Sequence, residues 1–161
     1  MRKWIGMLLL MLSVISCDDG RIFDSYETIN GGWDKEEAVV SEVSELDSVQ
    51  PLNVFITLRS NHKYPYNNLF LVTQLGYPNG KQETDTLEYR MAKPSGELLG
   101  EGLGEKKESK LWYKEEFSFS ENGTYTMKIQ QEMSKNGNVA SDKKLVGITE
   151  VGKRSERPEN D

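Results

Sequence analysis

Thr124-Tyr125-Thr126-Met127-Lys128-Ile129-Gln130-Gln131 is the stretch that decides the fold class. Tyr125, Met127, Ile129 and Gln131 fall on one side of an extended backbone. Thr124, Thr126, Lys128 and Gln130 fall on the other, because successive side chains of a strand point to opposite faces. Strict alternation of this kind predicts a half-buried strand. Moving outward, Leu52, Val54, Ile56 and Leu58 alternate with Asn53, Thr57 and Arg59, with Phe55 an apolar residue on the polar side. Leu87, Tyr89 and Met91 oppose Thr86, Glu88 and Arg90. Residues 68–75 are apolar on both sides, as a central strand is. A run from Leu111 closes on Phe117 and Phe119, residues 145–151 form a last strand, and residues 21–29 form a first. Within 34–47, Glu36, Glu37, Glu42 and Glu45 suit a helix, whereas Ala38-Val39-Val40 suits a strand; a strand over 39–43 is expected.

Turn chemistry punctuates these runs. Pro78-Asn79-Gly80, Pro94-Ser95-Gly96, Asn122-Gly123 and Asn136-Gly137 each supply residues that tolerate positive φ. About eight strands at this spacing predict an all-β fold, an antiparallel β-sandwich of jelly-roll or immunoglobulin-like type over residues 21–151. Ala38, Ala92 and Ala140 are the only alanines, which argues against a helical protein. Residues 152–161 are polar and end in Pro158-Glu159-Asn160-Asp161, so a flexible tail is expected there.

The chain has 161 residues, a length that suits one domain. With 26 acidic and 20 basic side chains, a net charge of −6 and no basic block, it lacks the clustered cations of a nucleic-acid binder. Cys17 is the single cysteine and His62 the single histidine, so neither a disulfide framework nor a Cys/His metal site is expected.

The amino terminus carries the clearest chemistry. Arg2 and Lys3 precede a nearly unbroken apolar stretch over residues 4–15. As a helix it would extend only about 18 Å, short of a hydrocarbon core of roughly 30 Å. Residues 1–16 therefore read as a signal peptide. Val14-Ile15-Ser16-Cys17 resembles the lipobox of bacterial lipoproteins, in which the cysteine is acylated and the signal is cut before it. No cofactor is expected beyond the covalent diacylglycerol and N-acyl chains on Cys17, which together anchor a protein firmly where one chain alone is marginal. Residues 17–20 then form a short tether. Asp18 and Asp19 are candidate sorting residues, and the two readings stay open: inner-membrane retention in enterobacteria, or export to the surface in Bacteroidetes.

Catalytic constellations are sparse. His62 lies in Ser60-Asn61-His62-Lys63 and reads as a solvated loop residue. Asp85 and Glu88, three apart on a strand, point to opposite faces and cannot flank one glycosidic bond. Gly100, Gly102 and Gly104 lack the following helix and Gly-Lys-Ser/Thr of a phosphate loop. No enzymatic activity is expected. Asp47-Ser48-Val49 and Asp85-Thr86-Leu87 resemble the short O-glycosylation pattern of Bacteroidetes, making Ser48 and Thr86 candidate sites. Among the aromatics, Trp33 and Trp112 are expected in the core. Tyr64, Pro65 and Tyr66 are expected to form an extended loop offering contacts to a partner, because Pro65 has no amide hydrogen for a central strand.

Several segments, taken in order, resemble the GldH gliding-motility lipoproteins of Bacteroidetes. They are Gly31-Gly32-Trp33, Tyr64-Pro65-Tyr66-Asn67-Asn68-Leu69-Phe70-Leu71, Asp85-Thr86-Leu87-Glu88-Tyr89, Ala92-Lys93-Pro94-Ser95-Gly96, Leu99-Gly100-Glu101-Gly102, Trp112-Tyr113 and Gly123-Thr124-Tyr125. The chain departs from that pattern at Leu98, where the family tends to carry tryptophan, and after Met133, where arginine commonly follows. The resemblance implies a non-enzymatic lipoprotein of the outer membrane. It implies a membrane contact through the lipid and a protein partner in a gliding or type IX secretion assembly. The alternative is a surface glycan-binding module, which needs an exposed aromatic platform on one sheet face.

Overall fold

A computed structural model of the protein describes residues 20–44, 50–102, 104–133 and 144–159. Within them lie β1 (Arg21–Thr28), β2 (Trp33–Asp34), β3 (Val39–Val43), β4 (Leu52–Ser60), β5 (Asn68–Gly76), β6 (Gln82–Arg90), β7 (Lys107–Phe117), β8 (Tyr125–Gln131), β9 (Lys144–Leu145) and β10 (Ile148–Glu156). One sheet runs β1-β10-β4-β7, a second β3-β8-β5-β6, and β2 pairs with β9 as a short ribbon. Every pairing is antiparallel.

The order of the eight long strands identifies the sandwich. Taken along the chain, the first pairs with the last, the second with the seventh, the third with the sixth and the fourth with the fifth. That is one long hairpin rolled up, the connectivity of a jelly roll. Of the two sandwich types expected from spacing, pairing selects this one.

The alternation predicted for β4 and β8 is realised, and β5, expected to be apolar on both sides, is central but fully buries only alternate residues. Leu52, Val54, Ile56 and Leu58 of β4, Leu69, Leu71 and Leu75 of β5, and Tyr125, Met127 and Ile129 of β8 are buried between the sheets. Each such side chain contributes roughly 1.5–3 kcal/mol on leaving water. Trp33 is fully buried among them, its Nε1 donating to the Glu37 carbonyl at 2.9 Å. A second cluster fills the other end, where Val43, Leu75 and Tyr125 pack with Phe23, Tyr77, Phe117 and Phe119. Register breaks between β4 and β7 near Val54 bend β7 at Glu116, whose φ of 46° places it in the left-handed region. The bend lets Phe117 and Phe119 meet edge to face at 4.8 Å.

The carboxy-terminal end differs from the sequence expectation. A single strand over 145–151 is replaced by β9 and β10, separated at Gly147, where a Cβ would lie 2.1 Å from the Tyr64 amide nitrogen. Residues 152–161 are not a tail from their first residue, because β10 runs on to Glu156 between β1 and β4. Its polar residues are compatible with a central strand. Gly152 makes room for the Ser25 carbonyl, which would lie 2.1 Å from a Cβ, and Arg154 and Glu156 are ion-paired on the outer face.

Candidate functional site: an ion-paired sheet face around Trp112

The outer face of the β1-β10-β4-β7 sheet is assembled by alternation and register. On β4, Phe55, Thr57 and Arg59 point away from the core. Across from them stand Trp112, Lys110 and Glu108 of β7, and Arg154, Gly152 and Glu150 of β10. Asp24 and Tyr26 of β1 complete the row beside Arg154 and Gly152.

These side chains form a lattice. The Arg154 guanidinium donates to Asp24 Oδ2 at 2.8 Å and to Glu108 Oε1 at 3.0 Å. Glu108 Oε2 accepts from Arg59 Nε at 3.1 Å, and Arg59 donates further to Glu150 Oε2 at 2.5 Å. The Arg59 guanidinium also lies 4.3 Å over the Tyr26 ring, and Lys110 bridges to Glu156 at 2.9 Å. Burial pushes the Glu108 carboxyl up, but hydrogen bonds from Arg59 and Tyr26 and the Arg154 charge prevail and hold it below its ordinary value. Hydrogen bonding to Glu108 likewise keeps Arg59 above its ordinary value. One exposed ion pair is worth little, whereas a shared set of donors and acceptors holds a surface in one geometry.

Trp112 sits at the edge of this lattice, 53% exposed. Its ring lies 4.5 Å from that of Phe55, which is only 2% exposed, and Lys110 Nζ is 4.7 Å from the Phe55 ring. The main chain beneath is pinned, since the Tyr89 hydroxyl donates to the Trp112 carbonyl at 2.5 Å across the sandwich edge. Burial pushes the Tyr89 hydroxyl up to about 12, so it remains a donor at neutral pH. The result is a large indole with its backbone fixed and one side open, the geometry of an interface anchor.

Comparison with known proteins now places the chain. The sequence model of the GldH lipoprotein family matches residues 21–154, from the first residue of β1 into β10. The chain belongs to the GldH lipoprotein family. A gliding motility lipoprotein GldH homolog of Christiangramia forsetii is 46% identical over 163 aligned positions, covering 99% of this chain and all of that protein. The gliding motility lipoprotein GldH of Flavobacterium johnsoniae is 42% identical over 151 positions, covering 94% of each chain. A chain from the structure of infectious bursal disease virus Gx strain aligns at a TM-score of 0.36 and 12% identity, over 83% of this chain and 29% of that one.

Within this GldH family domain the sequence-predicted residues part company. Tyr64 is not available for contact: it is 6% exposed in the core, and its hydroxyl donates to the Asn68 carbonyl at 2.6 Å. Tyr66 is half-buried against it at 6.0 Å, and only Pro65 is exposed. The burial of Tyr64 follows from the turn at Gly147, which lies against the Tyr64 backbone, a contact that no local pattern encodes. Trp33 is a core residue as expected, whereas Trp112 is not, because its position across from Phe55 puts it on the outer face. The signal for that pair was Phe55, the apolar residue on the polar side of β4.

Thr86 is exposed on β6 and sterically open to modification. Cys17, Asp18, Asp19 and Ser48 lie outside the described residues. Asp85 faces inward, taking Lys114 at 2.9 Å and the Tyr113 hydroxyl at 3.2 Å, while Glu88 on the opposite face accepts from Asn68. His62 is exposed, 3.5 Å from Glu105. The glycine loop is closed by paired Glu101–Glu108 backbone hydrogen bonds of 2.8 Å each, and a Cβ on Gly100 would meet the Glu108 carbonyl at 2.5 Å. Among the described residues, no group of three or more His, Cys, Asp or Glu side chains could hold a metal ion.

Proposed function

We propose that this protein is a lipid-anchored lipoprotein of the outer membrane that supports gliding and the linked type IX secretion assembly by binding a protein partner, without catalysis. Two full-length relatives are named for gliding motility, which supports the motility role. The observation that carries the contact reading is Trp112, an exposed indole seated on buried Phe55 in a face whose charges are already paired with one another. Such a face is rigid before binding, so little conformational entropy is lost when a partner covers it. Cys17, carrying diacylglycerol and N-acyl chains, is the anchor, and residues 18–20 give a tether too short to let the domain wander from the bilayer. Asp18 and Asp19 are proposed to direct sorting, and Ser48 and Thr86 to accept O-glycans.

Trp112→Ala, expressed as the full chain in a deletion strain, is expected to keep its strand spectrum and membrane fraction but to lose spreading and type IX cargo export. Full complementation would remove Trp112 from the functional surface. The exposed ring also favours a glycan-binding reading, since an indole on a flat sheet face stacks on sugar rings. Retention of the purified protein on immobilised polysaccharide, abolished by the same substitution, would establish that alternative.

A further inference from the structure

Asparagine followed by glycine is a pair with chemistry of its own, and the described part of the chain holds it at Asn30-Gly31, Asn79-Gly80 and Asn122-Gly123. All three pairs lie outside the strands, and every one of these residues is exposed. The side-chain amide carbon of the asparagine is an electrophile. The next backbone nitrogen reaches it most readily when that next residue is glycine, which has no side chain to hinder the approach. Reaction requires two freedoms. The asparagine side chain must turn onto the nitrogen, and the nitrogen must give up its proton. Since exposure does not separate the three pairs, their hydrogen bonds do.

Asn79-Gly80 has neither freedom. Asn79 Nδ2 donates to Glu121 Oε1 at 2.7 Å, and its Oδ1 accepts from the Lys81 amide at 2.7 Å. The Asn79 amide donates to Glu121 Oε2 at 3.2 Å, so one carboxylate grips the residue twice. The Gly80 amide, the nucleophile of this pair, donates to the Tyr77 carbonyl at 2.9 Å. Side-chain bonds of this kind are how asparagine fixes a turn. Asn30-Gly31 and Asn122-Gly123 lack them. Among the described residues, neither asparagine side chain has a hydrogen-bond partner, and neither the Gly31 nor the Gly123 amide donates to one. Both freedoms are present at these two pairs and absent at the third.

We propose that Asn30 and Asn122 are sites of spontaneous deamidation in the folded protein, and that Asn79 is protected by its turn. At each site the glycine nitrogen gives its proton to water and bonds to the asparagine Cγ, while Nδ2 takes up a proton and leaves as ammonia. Water then opens the five-membered succinimide. Attack at Cγ breaks the new Cγ–N bond and yields aspartate. Attack at the main-chain carbonyl breaks the original peptide bond and yields isoaspartate, with the chain rerouted through Cβ. Nothing is oxidised or reduced, and each site exchanges a neutral amide for a carboxylate. At Asn122 the new charge adjoins Glu121, the residue that holds Asn79. This chemistry is the chain's own and does not depend on the contact reading above. The test incubates the purified full-length protein in detergent and mildly alkaline buffer, then maps the three pairs by mass spectrometry with fragmentation that separates aspartate from isoaspartate. Asn30 and Asn122 are each expected to convert at least tenfold faster than Asn79. In denaturant, where the turn is gone, the three rates are expected to converge. Glu121→Ala, which frees Asn79 Nδ2, is expected to raise conversion at Asn79 several-fold. Native Asn30 or Asn122 converting no faster than Asn79 overturns the proposal. A tenfold gap that persists in denaturant does the same, since it would come from neighbouring residues rather than from the fold. An unchanged rate at Asn79 in Glu121→Ala also overturns the protection.

Discussion

Lys153 follows Gly152 in a stretch whose polarity suggests solvent, yet its amine is enclosed between two sheets. Burial pushes that amine down to about 8 from an ordinary 10.5, with the charge of Glu42 acting weakly the other way. Between those values the unfolded chain holds more protons than the folded one, so stability rises with pH across that window. Tyr77 and Tyr89 act oppositely. Their hydroxyls are pushed up to about 12, mainly by burial, so above about pH 10 the unfolded chain loses protons first and stability falls. Denaturant midpoints of the full chain in detergent should therefore climb from pH 8, peak near pH 10 and then drop. The climb should be worth on the order of 1–3 kcal/mol. In Lys153→Met the climb should vanish, leaving a flat profile below pH 10. An unchanged climb in that variant would assign the effect to another group. Tyr64 and Trp112 make the same point about residues: both are aromatics beside polar neighbours, and only their cross-strand partners put one inside and the other out.

At the scale of elements, β10 carries the largest consequence. It carries only two apolar side chains, Ile148 and Val151, and yet is central, hydrogen-bonded to β1 on one side and β4 on the other. Its outward residues Glu150, Arg154 and Glu156 anchor the ion-pair lattice, and inward Val151 is fully buried. A chain ended after Val151 would lose half of this strand, and β1 would lose the partners of Arg21 through Tyr26. Such a truncation is expected to abolish the cooperative unfolding transition and bring the protein to the insoluble fraction. A chain ended after Glu159 should keep both. Equal stability of the two truncations, measured by thermal melting, would make residues 152–156 dispensable after all. Alternation made β4 and β8 legible, because each buries an apolar row on the inner side; β5 was legible as a run apolar on both sides, and β6 alternates although its inner residues are only half-buried. Alternation failed for β10, whose polar residues are satisfied by neighbours distant in the chain: Lys153 by Glu42, and Arg154 by Asp24 and Glu108. Local hydrophobicity carries no trace of such pairings.

For the whole molecule, a rolled-up hairpin brings the two ends of the domain side by side. Arg21 stands across from Glu156, and the Arg157 amide donates to the Gly20 carbonyl at 3.0 Å. The domain thus hangs from the bilayer by the corner where β1 starts, if Cys17 is the anchor. Cys17→Ala is accordingly expected to leave the detergent-rich phase in phase separation, where the wild type partitions, while keeping the strand spectrum. Equal partitioning of the variant into detergent would end the lipid-anchor reading. The sequence by itself determined the class of this protein: alternation and turn residues specify many short strands, and the ordered motifs specify the family. It also determined that Asp85 and Glu88 part to opposite faces, since a strand's period is a local property of the backbone. Tertiary structure alone decided that the sandwich is a jelly roll, that Tyr64 is core while Trp112 is surface, and that the polar carboxy-terminal stretch is a central strand. Each of these depends on which strand lies beside which. That choice is made by the burial and pairing of side chains remote in sequence, and no window along the chain contains it.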